Sequence, residues 1–142
     1  MAANEAMVAN NEQVRVRILS SADIVAARQE GRALASRVGF SSSNLTVIAT
    51  AISEIARNIV EYAKEGEVLI ALVEDGDRRG VEIVAADEGP GIPDISVVMR
   101  DGFTTGRGLG IGLPGARRLM DEFEIASAVG KGTTVRMRKW LP

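Results

Sequence analysis

Asp87-Glu88-Gly89-Pro90-Gly91-Ile92-Pro93, then a short insert, then Thr104-Thr105-Gly106-Arg107-Gly108-Leu109-Gly110-Ile111-Gly112-Leu113: the reading of this 142-residue chain turns on that stretch. Immediately before it stands Val81-Glu82-Ile83-Val84-Ala85-Ala86, apolar enough for a buried strand. After it, residues 114–123 carry a helical pattern. A strand thus ends in a carboxylate, and a glycine run then enters a helix. Glycine lacks Cβ, so backbone N–H groups can approach a ligand closely. A helix N-terminus adds unpaired donors and a partial positive charge, which suits phosphate. The stretch reads as a nucleotide pocket, with Asp87 for the base and the glycines for the phosphates.

The bulk composition narrows the classes. A length of 142 residues with 46% hydrophobic residues suits one domain with its own core. A net charge of −2 argues against a general nucleic-acid binder. The chain has neither cysteine nor histidine, which excludes disulfides, thiol catalysis, a histidine base, a histidine metal ligand and a phosphohistidine on this chain. No apolar run reaches the roughly 18 residues of a membrane span. The N-terminus has no basic-then-apolar signal pattern. A cytoplasmic protein without a membrane segment is the expectation.

Working from the N-terminus, residues 1–13 are small and polar and are expected to be a flexible tail. Val14-Arg15-Val16-Arg17-Ile18 alternates strictly, as a half-buried strand does. Ser20, Ser21 and Asp23 can cap a helix over 24–38 that ends at Gly39, although Gly31 weakens its interior. In the next helix Leu45, Ile48, Ile52, Ile55, Ala56 and Ile59 form the apolar stripe. Residues 67–74 and 81–86 read as a hairpin, with Asp94 capping a short helix over 95–100. In the helix over 114–123, Leu113, Ala116, Met120 and Phe123 form the apolar face. Residues 124–129 and 134–140 are the last two strands. This order implies an α+β sandwich: one mixed or mostly antiparallel sheet with helices on one face.

Glu54, Asn58 and Tyr62 stand four residues apart on the second helix. Each step of four turns only about 40° around the axis, so they form a row beside the apolar stripe. Asn58 offers a neutral oxygen suited to Mg²⁺ beside phosphates. Glu54, one turn back, can take a proton from an attacking hydroxyl or water. Tyr62 at the stripe's edge reads as packing, with Arg57 and Glu61 on a more solvent-facing side. Taken singly, each feature has an ordinary explanation: a solvated carboxylate, a local hydrogen bond, a flexible glycine loop, a hairpin turn at residues 130–132. Order and spacing together carry the argument. Other nucleotide motifs fail on context. Gly110-Ile111-Gly112-Leu113-Pro114-Gly115 matches G-x-G-x-x-G, but no strand directly precedes it and too little chain follows. No G-x-x-x-x-G-K-[ST] sequence occurs, and Asp101-Gly102-Phe103 has the wrong order for the eukaryotic-type kinase magnesium motif.

Glu54-x-x-x-Asn58, Asp87-x-Gly89-x-Gly91-Ile92, Gly106-x-Gly108-Leu109-Gly110-x-Gly112-Leu113 and Gly130-x-Gly132-Thr133 resemble, in order, the N, G1, G2 and GT boxes of the GHKL ATPase/kinase superfamily. More closely, Asp23-Ile24-Val25-Ala26-Ala27-Arg28-Gln29, Glu54-Ile55-Ala56-Arg57-Asn58-Ile59, Arg118-Leu119-Met120-Asp121-Glu122-Phe123 and Lys139-Trp140-Leu141 are similar to the serine/threonine switch kinases of the bacterial stressosome. The resemblance implies a Bergerat-type two-layer sandwich as a single domain over 14–142. It implies Mg-ATP as cofactor and phosphorylation of serine or threonine on STAS-domain stressosome proteins. On release from them, the protein is expected to engage a downstream partner such as a phosphatase. The alternative is an anti-sigma kinase that sequesters a sigma factor and phosphorylates its antagonist.

Carried over by position, Glu54 is the catalytic base, Asn58 the Mg²⁺ ligand and Asp87 the acceptor for the adenine amino group. Gly89 and Gly91 allow the turn beneath the base, with Ile92 beside them. Gly106, Gly108, Leu109, Gly110, Ile111 and Gly112 wrap the phosphates, and Thr133 closes the pocket from the sheet. Arg107 stands where that branch has a small residue, either against a phosphate or facing solvent.

Overall fold

A computed structural model describes residues 7–100 and 112–142. Five strands and four helices follow in the order β1 (Met7–Ile18), α1 (Ser21–Val38), α2 (Ser42–Asn58), β2 (Gly66–Asp75), β3 (Arg78–Asp87), α3 (Ile95–Val98), α4 (Gly112–Leu119), β4 (Glu122–Ala128) and β5 (Gly132–Trp140). A single π-helical turn, Ile59–Ala63, continues α2. The sheet order is β1-β2-β3-β5-β4. All four pairings are antiparallel, so the mixed sheet allowed for above is not found. The reason lies in the first crossover. Two helices, not one, join β1 to β2, so the chain returns to the end it left, with Ile18 opposite Gly66.

β1 starts at Met7, seven residues before its alternation begins. Met7 and Val8 pair with Glu74 and Val73, and the register shifts between Val8 and Gln13. The flexible tail expected over 1–13 is therefore corrected for residues 7–13. Backbone pairing does not require alternating side chains, and the polar sequence there hid the strand. In α1, the Asp23 carboxylate accepts from the amides of Leu19 and Ser20 at 2.8 and 3.1 Å. Gly39 closes the helix in the left-handed region at φ 109°. Gly31 is buried where α1 meets α2, and a Cβ there would collide with Ile52 Cδ1. The glycine that weakens α1 locally leaves room for the Ile52 side chain of α2. In α2, Ser41 accepts from the Asn44 amide at 3.2 Å.

The core lies between the helices and one sheet face. Ile48, Ile52, Ile55 and Ile59 meet Val68, Ile70, Val81, Ile83, Val135 and Met137, all 2% exposed or less. On the opposite face, charges answer one another across the strands: Arg138 pairs with Glu82 and Glu122, Arg136 with Glu124. α4 ends at Leu119, four residues short of the span its pattern suggested. Phe123 is therefore not on its apolar face but in β4, opposite Met137. Asp121 makes the change of direction: its N–H donates to Arg138 O and its carboxylate accepts the Trp140 N–H at 2.8 Å. No helix among the described residues is long and apolar enough to cross a membrane.

Candidate nucleotide site

Three pieces of chain meet at one end of the sheet: the last residue of β3, the first residues of β5, and the π turn that ends α2. Register does this, since Asp87 lies opposite both Gly66 and Thr133. Between them opens a cavity of about 130 Å³ whose walls include Asn58, Tyr62, Ala63, Asp87, Gly91, Ile92, Val98 and Thr133. Five of the nucleotide- and metal-binding candidates, Asn58, Asp87, Gly91, Ile92 and Thr133, thus line one cavity.

Asp87 is fixed through one oxygen. Its Oδ1 accepts from the Gly89 amide at 2.9 Å and the Thr133 amide at 3.2 Å. Its Oδ2 makes no hydrogen bond among the described residues. Asp87 thus brings one uncommitted acceptor oxygen to the residues that line the cavity. Gly89 is required by approach rather than by φ, because a Cβ there would stand 2.6 Å from Ala63 Cβ and 2.7 Å from its Cα. Gly91 has φ 79°, and its would-be Cβ meets the carbonyl of Ala128. The loop after β3 is thereby pressed between the π turn and the β4–β5 turn, where Gly130 N–H donates to Pro90 O at 2.9 Å.

Ser127 joins these parts, and nothing in the sequence marked it. Its hydroxyl accepts from the Ile92 amide at 2.7 Å, donates to Gly132 O at 2.9 Å, and lies 2.7 Å from Thr133 Oγ1. Thr133, 6% exposed, is held at the cavity edge through that contact. Tyr62 also departs from expectation. It is not packed inside but 45% exposed and forms part of the cavity wall. The π turn explains this: Lys64 N–H reaches Ile59 O at 2.9 Å, five residues back, so the turn is wider and Tyr62 leaves the row. Burial raises its phenol above the usual range, and the charge of Glu61 adds to this.

Asn58 is 7% exposed, lines the cavity, and its side chain makes no hydrogen bond among the described residues. Glu54, one turn back and equally buried, does not line that cavity. It faces the start of α4 instead, with Oε1 accepting the Gly112 N–H at 2.9 Å and Oε2 lying 2.5 Å from Arg57 Nη1. The last glycine of the run is thus tied directly to Glu54. Gly106, Arg107, Gly108, Leu109, Gly110 and Ile111 lie outside the described residues. Among the described residues no group of three or more acidic side chains could hold a metal ion.

Glu61 is the odd group in this region. Its Oε2 is buried without a hydrogen-bond partner among the described residues. An unsatisfied buried oxygen costs about 1–3 kcal/mol. Glu61→Leu is expected to raise stability by about 1 kcal/mol, a shift of about 3 °C in melting temperature. Calorimetry checks this, and a lower melting temperature would mean that the carboxylate makes a favourable contact there.

A strand-borne carboxylate, a buried asparagine and a glycine run entering a helix define a class. The model of the histidine kinase-like ATPase domain matches residues 19–139, and the chain belongs to that family. Serine/threonine-protein kinase RsbT of Bacillus subtilis is 53% identical over 131 residues, covering 92% of this chain and 98% of that protein. Family and relative together make this chain an ATP-dependent protein serine/threonine kinase. The anti-sigma F factor of Thermoanaerobacter sp. is 33% identical over 121 residues, covering 81% of this chain and 83% of that one. Among solved structures, a Mycobacterium tuberculosis protein with RsbU and RsbW domains aligns with a TM-score of 0.64 at 23% identity. That alignment covers 93% of this chain and 34% of the solved chain, and it bears on the fold alone.

Proposed function

We propose that this protein is a partner-switching kinase that uses Mg-ATP to phosphorylate a serine or threonine on STAS-domain stressosome proteins. On release from them it engages a downstream partner such as a phosphatase. One observation carries the reading: Glu54 and Asn58 stand one turn apart on a buried helix, with Glu54 tied to the end of the glycine run and Asn58 on the cavity that ends at Asp87. The 53% identity to RsbT over nearly its whole length favours this partner class over the sigma-factor reading.

Asp87 Oδ2 accepts from the adenine amino group, above a loop that Gly89 and Gly91 keep thin. Ile92 and Tyr62 give the base its apolar walls, and Thr133 bounds it from the sheet. The glycine run from Gly106 to Gly112 wraps the phosphates, with Gly108, Leu109, Gly110 and Ile111 in that wrap. Asn58 is the chain's own ligand for Mg²⁺, which when bound neutralises charge on the phosphates. Glu54 accepts the proton of the partner's hydroxyl. As it does so, Oγ bonds to the γ-phosphorus and the bond from that phosphorus to the β,γ-bridging oxygen breaks, so ADP leaves. Most of the acceleration comes from holding these groups in line. The ATP it consumes makes the cytoplasm the expected place of action.

The test is incubation with Mg-ATP and a STAS-domain protein, followed by phosphosite mass spectrometry. Phosphoserine or phosphothreonine on that protein is expected. Failure to transfer, together with capture of a sigma factor, would replace this reading with the anti-sigma one that the Thermoanaerobacter relative represents.

A further inference from the structure

We infer that Arg57 is a positioning residue for the phosphoryl transfer, acting through Glu54. The inference rests on the reading of Glu54 as the base. Arg57 lies on the helical face that periodicity assigns to solvent, yet its guanidinium turns back onto the buried carboxylate three residues earlier. The two oxygens of Glu54 are held by different groups, Oε2 by Arg57 and Oε1 by the Gly112 amide. Two anchors on opposite oxygens fix both the rotamer and the plane of the carboxylate. An ionised carboxylate accepts at about four lone-pair positions, so both anchors leave room for an incoming hydroxyl.

Burial gives Arg57 its second task. Glu54 is 7% exposed, and a carboxylate so removed from water needs a counter-charge. Arg57 supplies it while keeping a third of its own side chain in solvent. It has another acidic neighbour at i+4, Glu61, whose buried Oε2 stays unpartnered among the described residues. The arginine is committed to Glu54. In the transfer step the seryl or threonyl proton moves to Glu54 as Oγ bonds to the γ-phosphorus and ADP departs. Arg57 touches none of the reacting atoms; it keeps the accepting oxygen where the proton arrives. ATP itself is held by the Asp87 wall and the glycine run, not by Arg57.

Four variants separate this role from a structural one: Arg57→Gln, Arg57→Lys, Glu54→Gln and the double Glu54→Gln/Arg57→Gln. Each is assayed for transfer to a STAS-domain protein, for ATP affinity by titration, and for melting temperature. Arg57→Gln is expected to lower kcat by about tenfold or more, with the ATP Kd within about threefold of wild type. Arg57→Lys restores a substantial part of the rate, since a charge returns without the planar fork. Because Arg57 works through Glu54, the double variant is no slower than Glu54→Gln alone. An unchanged kcat in Arg57→Gln would overturn the inference. So would an equal further loss in the double variant, or a loss of ATP affinity parallel to that of kcat. If Glu54→Gln alone transfers normally, the base assignment fails first, and the two failures are distinguishable.

Discussion

Glu54→Gln is expected to lower phosphoryl transfer by about 10²–10⁴-fold, the range for loss of a positioned general base, with ATP affinity nearly unchanged. Glutamine keeps the volume of glutamate at a site only 7% exposed, so no cavity opens. It cannot keep both contacts. Whichever way the amide is turned, its NH₂ group faces either the Gly112 N–H or the Arg57 guanidinium, both of which are donors. Arg57 can swing into the solvent it already touches, so the stability cost is expected to be modest, about 1 kcal/mol. Three measurements on one preparation decide the matter: rate of transfer, ATP Kd and melting temperature. A rate within about threefold of wild type would remove Glu54 from the chemistry. A Kd that loosened as much as the rate fell would make Glu54 a nucleotide ligand instead.

The parts legible in the sequence are those with local causes. The stripe of α2 follows from spacing alone, and Gly39 ends α1 because a left-handed residue is needed there. The capping of α3 by Asp94, whose carboxyl the Ser96 hydroxyl holds below its usual range, is equally local. Five candidates from three distant stretches do share one cavity, which was inferred from box order and spacing. What stayed hidden depends on partners far apart in the chain. Ser127 looks like any serine in a strand until register sets it beside Ile92 and Thr133. Arg57 looks solvated until α4 buries Glu54 and calls for a counter-charge. Tyr62 was misplaced because a π turn changes the angular step without altering the hydrophobic pattern. Phe123 was given to a helix because its spacing from Met120 suits one, whereas Asp121 turns the chain into β4 first.

Asp87→Asn separates binding from catalysis at the other end of the site. Asparagine can reproduce the structural half of Asp87, since its carbonyl oxygen accepts the Gly89 and Thr133 amides as Oδ1 does now. The amide nitrogen then stands where Oδ2 is now. That replaces an acceptor with a donor and sets it against the adenine amino group, itself a donor. The fold is expected to survive while ATP affinity falls by about 10–100-fold, the effect of a buried hydrogen bond turned into a mismatch. The reversal also predicts a change in preference. A purine nucleotide with a carbonyl at the same ring position, such as GTP or ITP, presents an acceptor to the new donor, and its affinity is expected to fall less or to rise. Titration of the variant with both nucleotide types, beside a melting curve, tests this. Wild-type ATP affinity, or an equal loss for both nucleotides in a well-folded variant, would show that the free oxygen of Asp87 does not read the base. The cavity would then have to hold its ligand in another orientation.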